Sequence, residues 1–568
     1  VFSERGAMEN YPTHRPVFRV QPVNCHTDKV FIYNHAFRCV RGQEYFVDGN
    51  LAFNVDGYAP DMSYRSVFGP CVGHTGVVYA NNDDNISLAL RRLTAIRLPE
   101  DLGHHSHLLT NQNVFIQQHS SFIHHLAGLY APFFDEYLGA DVEAQLHHAD
   151  PHEKRILRIK AWDEIVNNDH MNITTWMHRT PLYKMKKDEI AKVAKYPRMI
   201  GDLGVNASLL GFVVTGLVKK AQHAKPINVY GGEMQFCKSP NVRQLTEVFE
   251  KLINPPGKFF FVYFSDDSCI SIRHNGSVHT YNMDIKSCDA SHTGALFRAF
   301  TELAPGKAKT DLEALVEQCK SKIKICSTVD RSRKVTLKPL FPRLYSGSTL
   351  TTAINNLANI FICLAIVEGS YDGTEAYLKQ AAARVGYLID LELCTVKGDI
   401  QFLKHSPVYD TEGRLRPLLN PGVLLRLSGQ CKGDLPGQGD LRQRAIDFQH
   451  TLLKGIYPDV MFTLINNLKA RGTTTASART QRQIDGLVAN TLKHKLESDG
   501  DKFTVSDAEV WSRYRLTEHQ ISIINNGFGL GSVGEHFACE PLSMVLRKDY
   551  GIDCRYQWEE YTGLQQYT

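Results

Sequence analysis

The sequence lacks the features typical of a membrane protein or of a disulfide-stabilised secreted domain. It has no stretch of about 18 uncharged apolar residues, the length that a membrane-spanning helix needs. Its 13 cysteines are scattered without a C-x-x-C pair, which is typical of reduced thiols rather than of disulfides or a zinc ribbon. The first residues, VFSERGAMEN, contain no initiating Met and no apolar signal region, so we expect a segment to precede them.

The sequence also has little excess of positive over negative charge. The formal net charge is only +4 over 568 residues, which does not by itself indicate a nucleic-acid-binding protein. A basic channel inside the molecule would hardly change that sum, so the local distribution of charge is more informative. A chain of this length is too long for a single core and predicts two or three structural units.

Carboxylates concentrate at one turn between apolar strands. Phe259–Phe264 is a continuous apolar run, typical of a strand buried on both faces. Asp266 and Asp267 interrupt it, and a short strand with β-branched residues follows. Asn275–Gly276 comes next, a pair preferred in the type I′ turn because both of its residues need a positive φ. The pattern predicts a tight hairpin that carries two acids at its base.

The turn also predicts the register of the strands. If Asn275–Gly276 forms a two-residue loop, His274 faces Ser277, and Asp284 falls opposite Asp267 and beside Asp266. A bulge would shift the pairing by one residue and leave the carboxylates neighbours. The sequence therefore predicts three carboxylates in one small area.

Such a cluster predicts a cation site. Neighbouring carboxylates repel one another and raise each other's pKa, so proteins tolerate them mainly where a cation neutralises them. Oxygen ligands without His or Cys favour Mg²⁺ or Mn²⁺ over zinc. Two such ions can activate a 3′-hydroxyl and stabilise a departing pyrophosphate. A solvated acidic turn without metal is the alternative.

Two further elements predict recognition of a ribose. Asp289 lies five residues after Asp284, where the strand ends. The second element runs from a loop into a helix and contains four candidate residues: Ser346, Gly347, Thr351 and Asn355. Thr351 and Asn355 share one helix face, where short polar side chains can read a 2′-hydroxyl. Alternatively, Ser346 is a helix N-cap and Asn355 a polar surface residue.

Basic residues supply candidates for binding the triphosphate and for proton transfer. The segment KMKKDEIAKVAKYPR between Lys184 and Arg198 is rich in Lys and Arg, which neutralise phosphates without a metal. Its triphosphate-binding candidates are Lys187, Lys192, Lys195 and Arg198. A solvated surface helix explains the strip equally well. Lys397 is a candidate proton donor to the pyrophosphate, although an exposed lysine would look the same.

Together these motifs resemble those of the palm of positive-strand RNA virus polymerases. Asp284 and Asp289 match the D-x4-D motif, and the loop-to-helix element matches S-G-x3-T-x3-N. Lys187 and Arg198 look like the fingers motif that grips the triphosphate. Three consecutive residues, Phe402, Leu403 and Lys404, resemble the strand motif that supports the primer end in these polymerases.

The order of the motifs indicates which group of viral polymerases the chain resembles most. Ser-Asp-Asp at residues 265–267 stands in for the usual G-D-D, yet it precedes the D-x4-D motif. This order is similar to the permuted polymerases of permutotetraviruses, such as Thosea asigna virus, and of birnaviruses. Birnavirus enzymes carry Ala-Asp-Asn at this turn, so the chain looks closer to permutotetraviruses.

The resemblance implies an α/β (α+β) fold with right-hand polymerase architecture: fingers, a palm of antiparallel sheet plus helices, and a mostly helical thumb. It implies the N-terminal region and fingers in 1–240 and the palm in 241–300 and 341–410. A fingers insertion would occupy 301–340, and the thumb and C-terminal region 411–568. Asp266 and Asp284 would be the main metal ligands, assisted by Asp267.

The implied activity is RNA-directed RNA synthesis from NTPs, with two Mg²⁺ or Mn²⁺ ions, in replication and transcription of a viral RNA genome. Its implied partners are template and nascent RNA, a protein primer and further copies of the chain, with no membrane segment. The implied location is the host cytoplasm and also the virion. A reverse transcriptase, a metal-dependent nuclease or phosphodiesterase, and a non-catalytic RNA-binding scaffold are the alternatives.

Overall fold

The structure is a computed structural model, and it describes a defined part of the chain. The described residues are 37–39, 64–69, 73–79, 111–135, 137, 182–185, 198–321, 323–326, 334–339, 342, 344–427, 503–530 and 539–551.

The described part is a mixed α/β fold, as predicted, and its strands form mainly antiparallel sheets. In chain order the strands are β1 (Phe37–Cys39), β2 (Tyr64–Gly69), β3 (Gly73–Tyr79), β4 (Leu182–Met185), β5 (Met199–Asp202), β6 (Ile227–Val229), β7 (Gly232–Phe236), β8 (Phe259–Phe264), β9 (Asp267–His274), β10 (Ser277–Lys286), β11 (Ile323–Cys326), β12 (Lys334–Pro339), β13 (Leu388–Cys394), β14 (His405–Tyr409) and β15 (Leu415–Leu419). A six-stranded sheet has the order β13-β10-β9-β8-β7-β6, and only its β7–β8 pair is parallel.

The predicted hairpin is confirmed. His274 pairs with Ser277, and the same register continues to Ser268 opposite Met283. Asn275 and Gly276 have φ values of 47° and 81°, as a type I′ turn requires. Strand β9 begins at Asp267, two residues earlier than its β-branched segment suggests. The acidic residues are therefore part of the hairpin itself.

Strand β8 is buried on both faces, which explains its unbroken apolar sequence. Phe259, Phe261 and Tyr263 belong to the larger core, which also contains the helix Thr351–Glu368. Phe260 and Val262 belong to a second core on the opposite face. That second core is closed by the helix Val242–Ile253 and by buried residues just after 399. The acidic turn thus extends from the most deeply buried strand of the sheet.

The helices pack around this sheet. The α-helices are residues 111–118 and Ser120–Tyr130, Gly204–Ala224, Val242–Ile253, Gly294–Thr301, Gly306–Gln318, Thr351–Glu368, Glu375–Arg384, Pro421–Leu427, Asp507–Val510, Glu518–Leu530 and Glu540–Tyr550. Short 3₁₀ turns cover Ala131–Phe134, Asp289–Ser291, Lys397–Asp399 and Ser512–Tyr514. Among the described helices, Thr351–Glu368 alone is long and apolar enough to cross a membrane, and 78% of it is buried in the protein.

A second sheet joins distant parts of the chain in the order β1-β12-β11-β4-β5. Its strands come from the predicted N-terminal region and from the predicted insertion at 301–340. The six-stranded sheet starts at Ile227, before the predicted palm boundary at 241. The domain boundaries themselves stay predictions.

A buried ionic network fastens the C-terminal helices to the central sheet. Asp399 is almost fully buried and accepts hydrogen bonds from Arg515 (2.7 Å) and Lys548 (2.9 Å). Lys548 also donates to Glu392 on β13 at 2.7 Å. Burial alone would raise the pKa of the Asp399 carboxyl, but these donors outweigh it and hold the pKa well below its usual range.

We expect Asp399→Asn to lower the free energy of unfolding by about 2 kcal/mol at neutral pH, because the half-exposed Arg515 and the mostly buried Lys548 lose their shared counter-charge. The native pKa of Asp399 lies below its unfolded value of about 4. The carboxylate therefore stabilises the fold above that pH, and its contribution is lost as the pH falls. Denaturant unfolding of both proteins from pH 7 to pH 3 would measure a gap that narrows with acidification.

Glu412→Gln is the matched control, since Glu412 forms an exposed pair with Arg414, in which both side chains are 65% accessible. It should change the unfolding free energy by less than about 1 kcal/mol. A gap for Asp399→Asn that stayed constant across this pH range would contradict the assignment.

Candidate active site

The acidic residues lie at a second tight turn, which precedes β9, whereas the predicted Asn275–Gly276 turn follows it. Phe264 pairs with Asp267, which leaves Ser265 and Asp266 as a two-residue loop between β8 and β9. Their φ values are 51° and 72°, in the left-handed region that non-glycine residues seldom adopt. Held there, Asp266 is exposed at the tip while Asp267 is half-buried at the start of β9.

The three predicted aspartates line one cavity of about 530 Å³. Asp266 and Asp267 reach it from the turn, and Asp284 reaches it from β10, where it pairs with Asp390 of β13. The other described residues that line it are Arg198, Ser265, Ser268, Asn282, Met283, Asp390, Leu391, Glu392, Gln401 and Lys404. The hairpin register therefore brings together side chains that are separated by 17 residues in sequence.

Burial and neighbouring charges shift the titration of Asp267 in this cavity. The pKa of Asp267 is raised to about 6, mainly by burial and to a smaller extent by the charges of Asp266 and Asp284. A hydrogen bond from the Leu403 N–H to Asp267 Oδ2 (2.9 Å) and the charge of Lys404 act in the opposite direction. Burial outweighs these two groups, so the pKa of Asp267 stays above its usual value.

The chemistry of the three aspartates fits hard divalent cations, because every donor is a carboxylate oxygen. Their carboxylate oxygens do not all lie within 4.8 Å of one another, so they would have to approach one another to share an ion. Among the described residues, the group that does meet this distance is Cys288, Asp289 and His292. Both ring nitrogens of that histidine already have hydrogen-bond partners, which marks the group as a polar network.

Hydrogen bonds connect three of the predicted ribose-recognition residues, Asp289, Ser346 and Asn355. Ser346 Oγ donates to Asp289 Oδ2 at 3.3 Å, and Asn355 Nδ2 donates to Asp289 Oδ1 at 3.2 Å. Asp289 lies in the 3₁₀ turn after β10, whereas Asn355 is buried in the helix Thr351–Glu368. The Thr351 hydroxyl donates to the loop carbonyls of Ser348 and Tyr345, and its role in ribose recognition stays a prediction.

A close backbone approach sets the position of the loop that bears Ser346. The Gly201 N–H donates to the Ser346 carbonyl at 2.6 Å. Gly347 has a φ of 100°, and a Cβ there would lie 2.3 Å from the Gly201 carbonyl oxygen. Gly347 therefore combines a positive φ with a close backbone contact, and both favour glycine.

The predicted basic residues divide into three groups. Arg198 is exposed at the start of β5 and lines the cavity beside the aspartates. Lys187, Lys192 and Lys195 lie outside the described residues. Lys397 is not among the described residues that line the cavity, since its Nζ pairs with Glu509 at 2.5 Å. Its role as a proton donor stays a prediction.

The segment Phe402–Lys404 is a turn rather than the expected strand. Phe402 pairs with His405, and the two residues between them, Leu403 and Lys404, have φ values of 53° and 63°. Phe402 and Leu403 are buried in the second core. Lys404 is the member that reaches the cavity, with its Nζ 4.6 Å from the ring centre of Tyr550.

Sequence reasoning missed two acids of the cavity wall, Asp390 and Glu392. They alternate with apolar residues along β13, and this period of two places both on one face of the strand. The alternation was visible in the sequence L-I-D-L-E-L-C, but nothing local indicates that β13 pairs with β10.

Comparisons with known proteins give limited similarity. No family model matches the chain, and no curated protein matches it. One similar solved structure is the X-ray structure of the birnavirus VP1–VP3 complex, at 12% identity and a TM-score of 0.36, covering 70% of this chain and 58% of that one. Another is the RNA polymerase VP1 from Infectious Pancreatic Necrosis Virus, at 12% identity and a TM-score of 0.35, covering 100% and 73%. The chain spans little more than half of the first. Similarity at this level decides neither fold nor activity, so the geometry of the site must carry the functional argument.

We expect Gly347→Ala to destabilise the protein by about 2 kcal/mol more than Gly413→Ala. Both residues have a positive φ, but a Cβ at Gly413 meets nothing within 4 Å, whereas at Gly347 it meets backbone. Both variants therefore bear the backbone strain, and only Gly347→Ala adds the clash. Free energies of unfolding measure the difference, and equal losses would show that the contact with Gly201 is unimportant.

Proposed function

We propose that the chain is a viral RNA-directed RNA polymerase that adds ribonucleotides from NTPs to an RNA 3′-end. The observation that carries the proposal is the shared placement of two sets of residues. Asp266, Asp267 and Asp284 line one cavity, while Asp289, at the end of the strand that bears Asp284, is hydrogen-bonded to both Ser346 and Asn355. Acids for metal binding thus lie next to polar groups suited to a sugar.

Asp266 and Asp284 would hold two Mg²⁺ or Mn²⁺ ions, with help from Asp267. When bound, such ions lower the pKa of a 3′-hydroxyl and stabilise the pyrophosphate that leaves. The support from this chain is the all-oxygen donor set. In addition to burial, the charges of Asp266 and Asp284 raise the pKa of Asp267, so the three carboxylates repel one another. Bound cations would relieve that repulsion.

Other residues, in the cavity and beside it, would bind and orient the nucleotide. Arg198 and Lys404 bring positive charge to the wall that holds the aspartates, where a triphosphate would need it. The Asp289 carboxylate would accept a hydrogen bond from a ribose hydroxyl, and the Asn355 amide would orient that carboxylate. Lys187, Lys192 and Lys195 would add to the triphosphate site, and Lys404 would support the primer end.

The permuted order of motifs is part of the proposal. In the sheet, β9 lies between β8 and β10, and the Asn275–Gly276 turn links β9 directly to the strand that bears Asp284. Two neighbouring antiparallel strands can be joined at either end without moving their side chains. Chemistry depends on the positions of atoms, so a palm with altered connectivity can keep the same activity.

The proposal also covers the architecture of the protein, its biological role, its location and its partners. It includes a right-hand architecture of fingers, palm and thumb, replication and transcription of a viral RNA genome, and a location in the host cytoplasm and the virion. RNA template, nascent RNA, a protein primer and further copies of the chain are the proposed partners. The relatedness to permutotetravirus polymerases rests on the Ser-Asp-Asp turn.

We expect Asp284→Asn and Asp266→Asn each to reduce RNA synthesis by at least about a hundredfold, because each removes charge from the metal site. The assay is extension of a primed poly(C) template with GTP and Mn²⁺. Asp390→Asn is the matched control: it alters an acid of the same cavity that pairs with Lys286, and should have a far smaller effect. Undiminished synthesis by Asp284→Asn would refute the site, and degradation of labelled RNA without NTPs would favour a nuclease.

We expect Asn355→Ala to lower the preference for GTP over dGTP about tenfold, because the Asp289 carboxylate loses the donor that orients it. The ratio of kcat/KM values for the two substrates measures this preference. A wild-type enzyme that prefers dGTP would instead identify a reverse transcriptase.

A further inference from the structure

The Asn355 amide can serve the ribose site in only one orientation. Its Nδ2 donates to Asp289, whose carboxylate can only accept. If the amide rotated by 180°, its oxygen would face the carboxylate and repel it. Whatever holds the opposite end of the amide therefore decides whether Asp289 is correctly oriented.

A buried histidine holds that end. His292 Nε2 lies 2.7 Å from Asn355 Oδ1, and His292 Nδ1 lies 2.7 Å from the Tyr387 hydroxyl. His292 is 6% exposed and Tyr387 is fully buried. Burial lowers the pKa of His292, which keeps the ring neutral with a single N–H.

The direction of every hydrogen bond in this chain follows from the carboxylate. Because Asn355 Nδ2 donates to Asp289, its Oδ1 must accept, so the proton of His292 is on Nε2. His292 Nδ1 then accepts from the Tyr387 hydroxyl, whose pKa burial raises well above its usual value. The Tyr387 hydroxyl thus satisfies the unprotonated Nδ1 of this tautomer, and the His292 Nε2–H holds the amide oxygen away from Asp289.

A glutamine from another helix holds the backbone on both sides of His292. Gln112 Nε2 donates to the Ser291 carbonyl at 3.2 Å and to the Val385 carbonyl at 2.9 Å. Its Oε1 accepts from the Thr293 N–H at 2.8 Å. Gln112 is fully buried and ties the histidine segment to the chain just before Tyr387, so the ring has little freedom to move.

We propose that His292 is a positioning residue for sugar selection, acting through the Asn355 amide on Asp289. The inference rests on the proposed function and deepens it. Cys288 is the other neighbour of the amide oxygen, with its thiol 3.5 Å from Asn355 Oδ1. A thiol is a weak donor and cannot replace the imidazole N–H.

The test compares GTP with dGTP as substrates for primed poly(C). His292→Leu removes the Nε2 donor, and the GTP preference should fall about five- to tenfold. His292→Gln is the matched variant, since its amide can donate from a similar position, and it should retain most of the preference. Tyr387→Phe leaves the imidazole intact but frees its tautomer, so it should lower the preference by a smaller factor.

A double-mutant cycle separates positioning from general damage to the fold. If His292 acts through Asn355, His292→Leu should have no further effect on the GTP/dGTP ratio in an Asn355→Ala background. Thermal unfolding of each variant shows whether the fold is retained. His292→Gln and Tyr387→Phe keep the test valid if the leucine variant is unstable.

The outcomes are distinct. Loss of preference in His292→Leu, its retention in His292→Gln and the absence of an additional effect in Asn355→Ala support the inference. A wild-type ratio in His292→Leu, or equal further loss in the Asn355→Ala background, overturns it. A wild-type chain that incorporates neither substrate overturns the proposed function itself.

Discussion

Two tight reversals at opposite ends of one strand hold the site together. Ser265 and Asp266 form the turn into β9, and Asn275–Gly276 forms the turn out of it. Both loops have two residues with positive φ, so neither leaves room for the register to slip. Because β8 is buried on both faces, a slip would also move phenylalanines between the two cores.

The Ser265–Asp266 turn has an unfavourable backbone conformation, and this conformation places Asp266 at the cavity. Left-handed conformations at Ser265 and Asp266 cost about 1 kcal/mol or more each. They place Asp266 at the exposed tip, facing the cavity that Asp284 also lines. The surrounding strands and the Leu403 N–H to Asp267 constrain the turn from two sides. Strain and charge repulsion therefore coincide at the point where a cation would compensate for them.

A second region of the molecule orients the polar groups beside that turn. The approach of Gly201 to Ser346 and Gly347 places one partner of Asp289, and the buried series Tyr387, His292, Asn355 orients the other. Both arrangements bring together segments that are more than sixty residues apart. The charge network of Asp399 holds β13 and its acids from the C-terminal side. Contacts among several separate stretches of chain thus position the cavity and the polar groups beside it.

The sequence by itself determined the acidic hairpin, because Asn-Gly turn chemistry and an apolar strand are local properties. It also indicated the set of Asp289, Ser346, Gly347 and Asn355 through a family resemblance. Only the tertiary structure decided that Thr351 bonds to its own loop, that Lys404 rather than Lys397 lines the cavity, and that Asp390 and Glu392 join the wall. These outcomes depend on which distant strands pair and which helices pack together, and a single sequence contains no local signal for either.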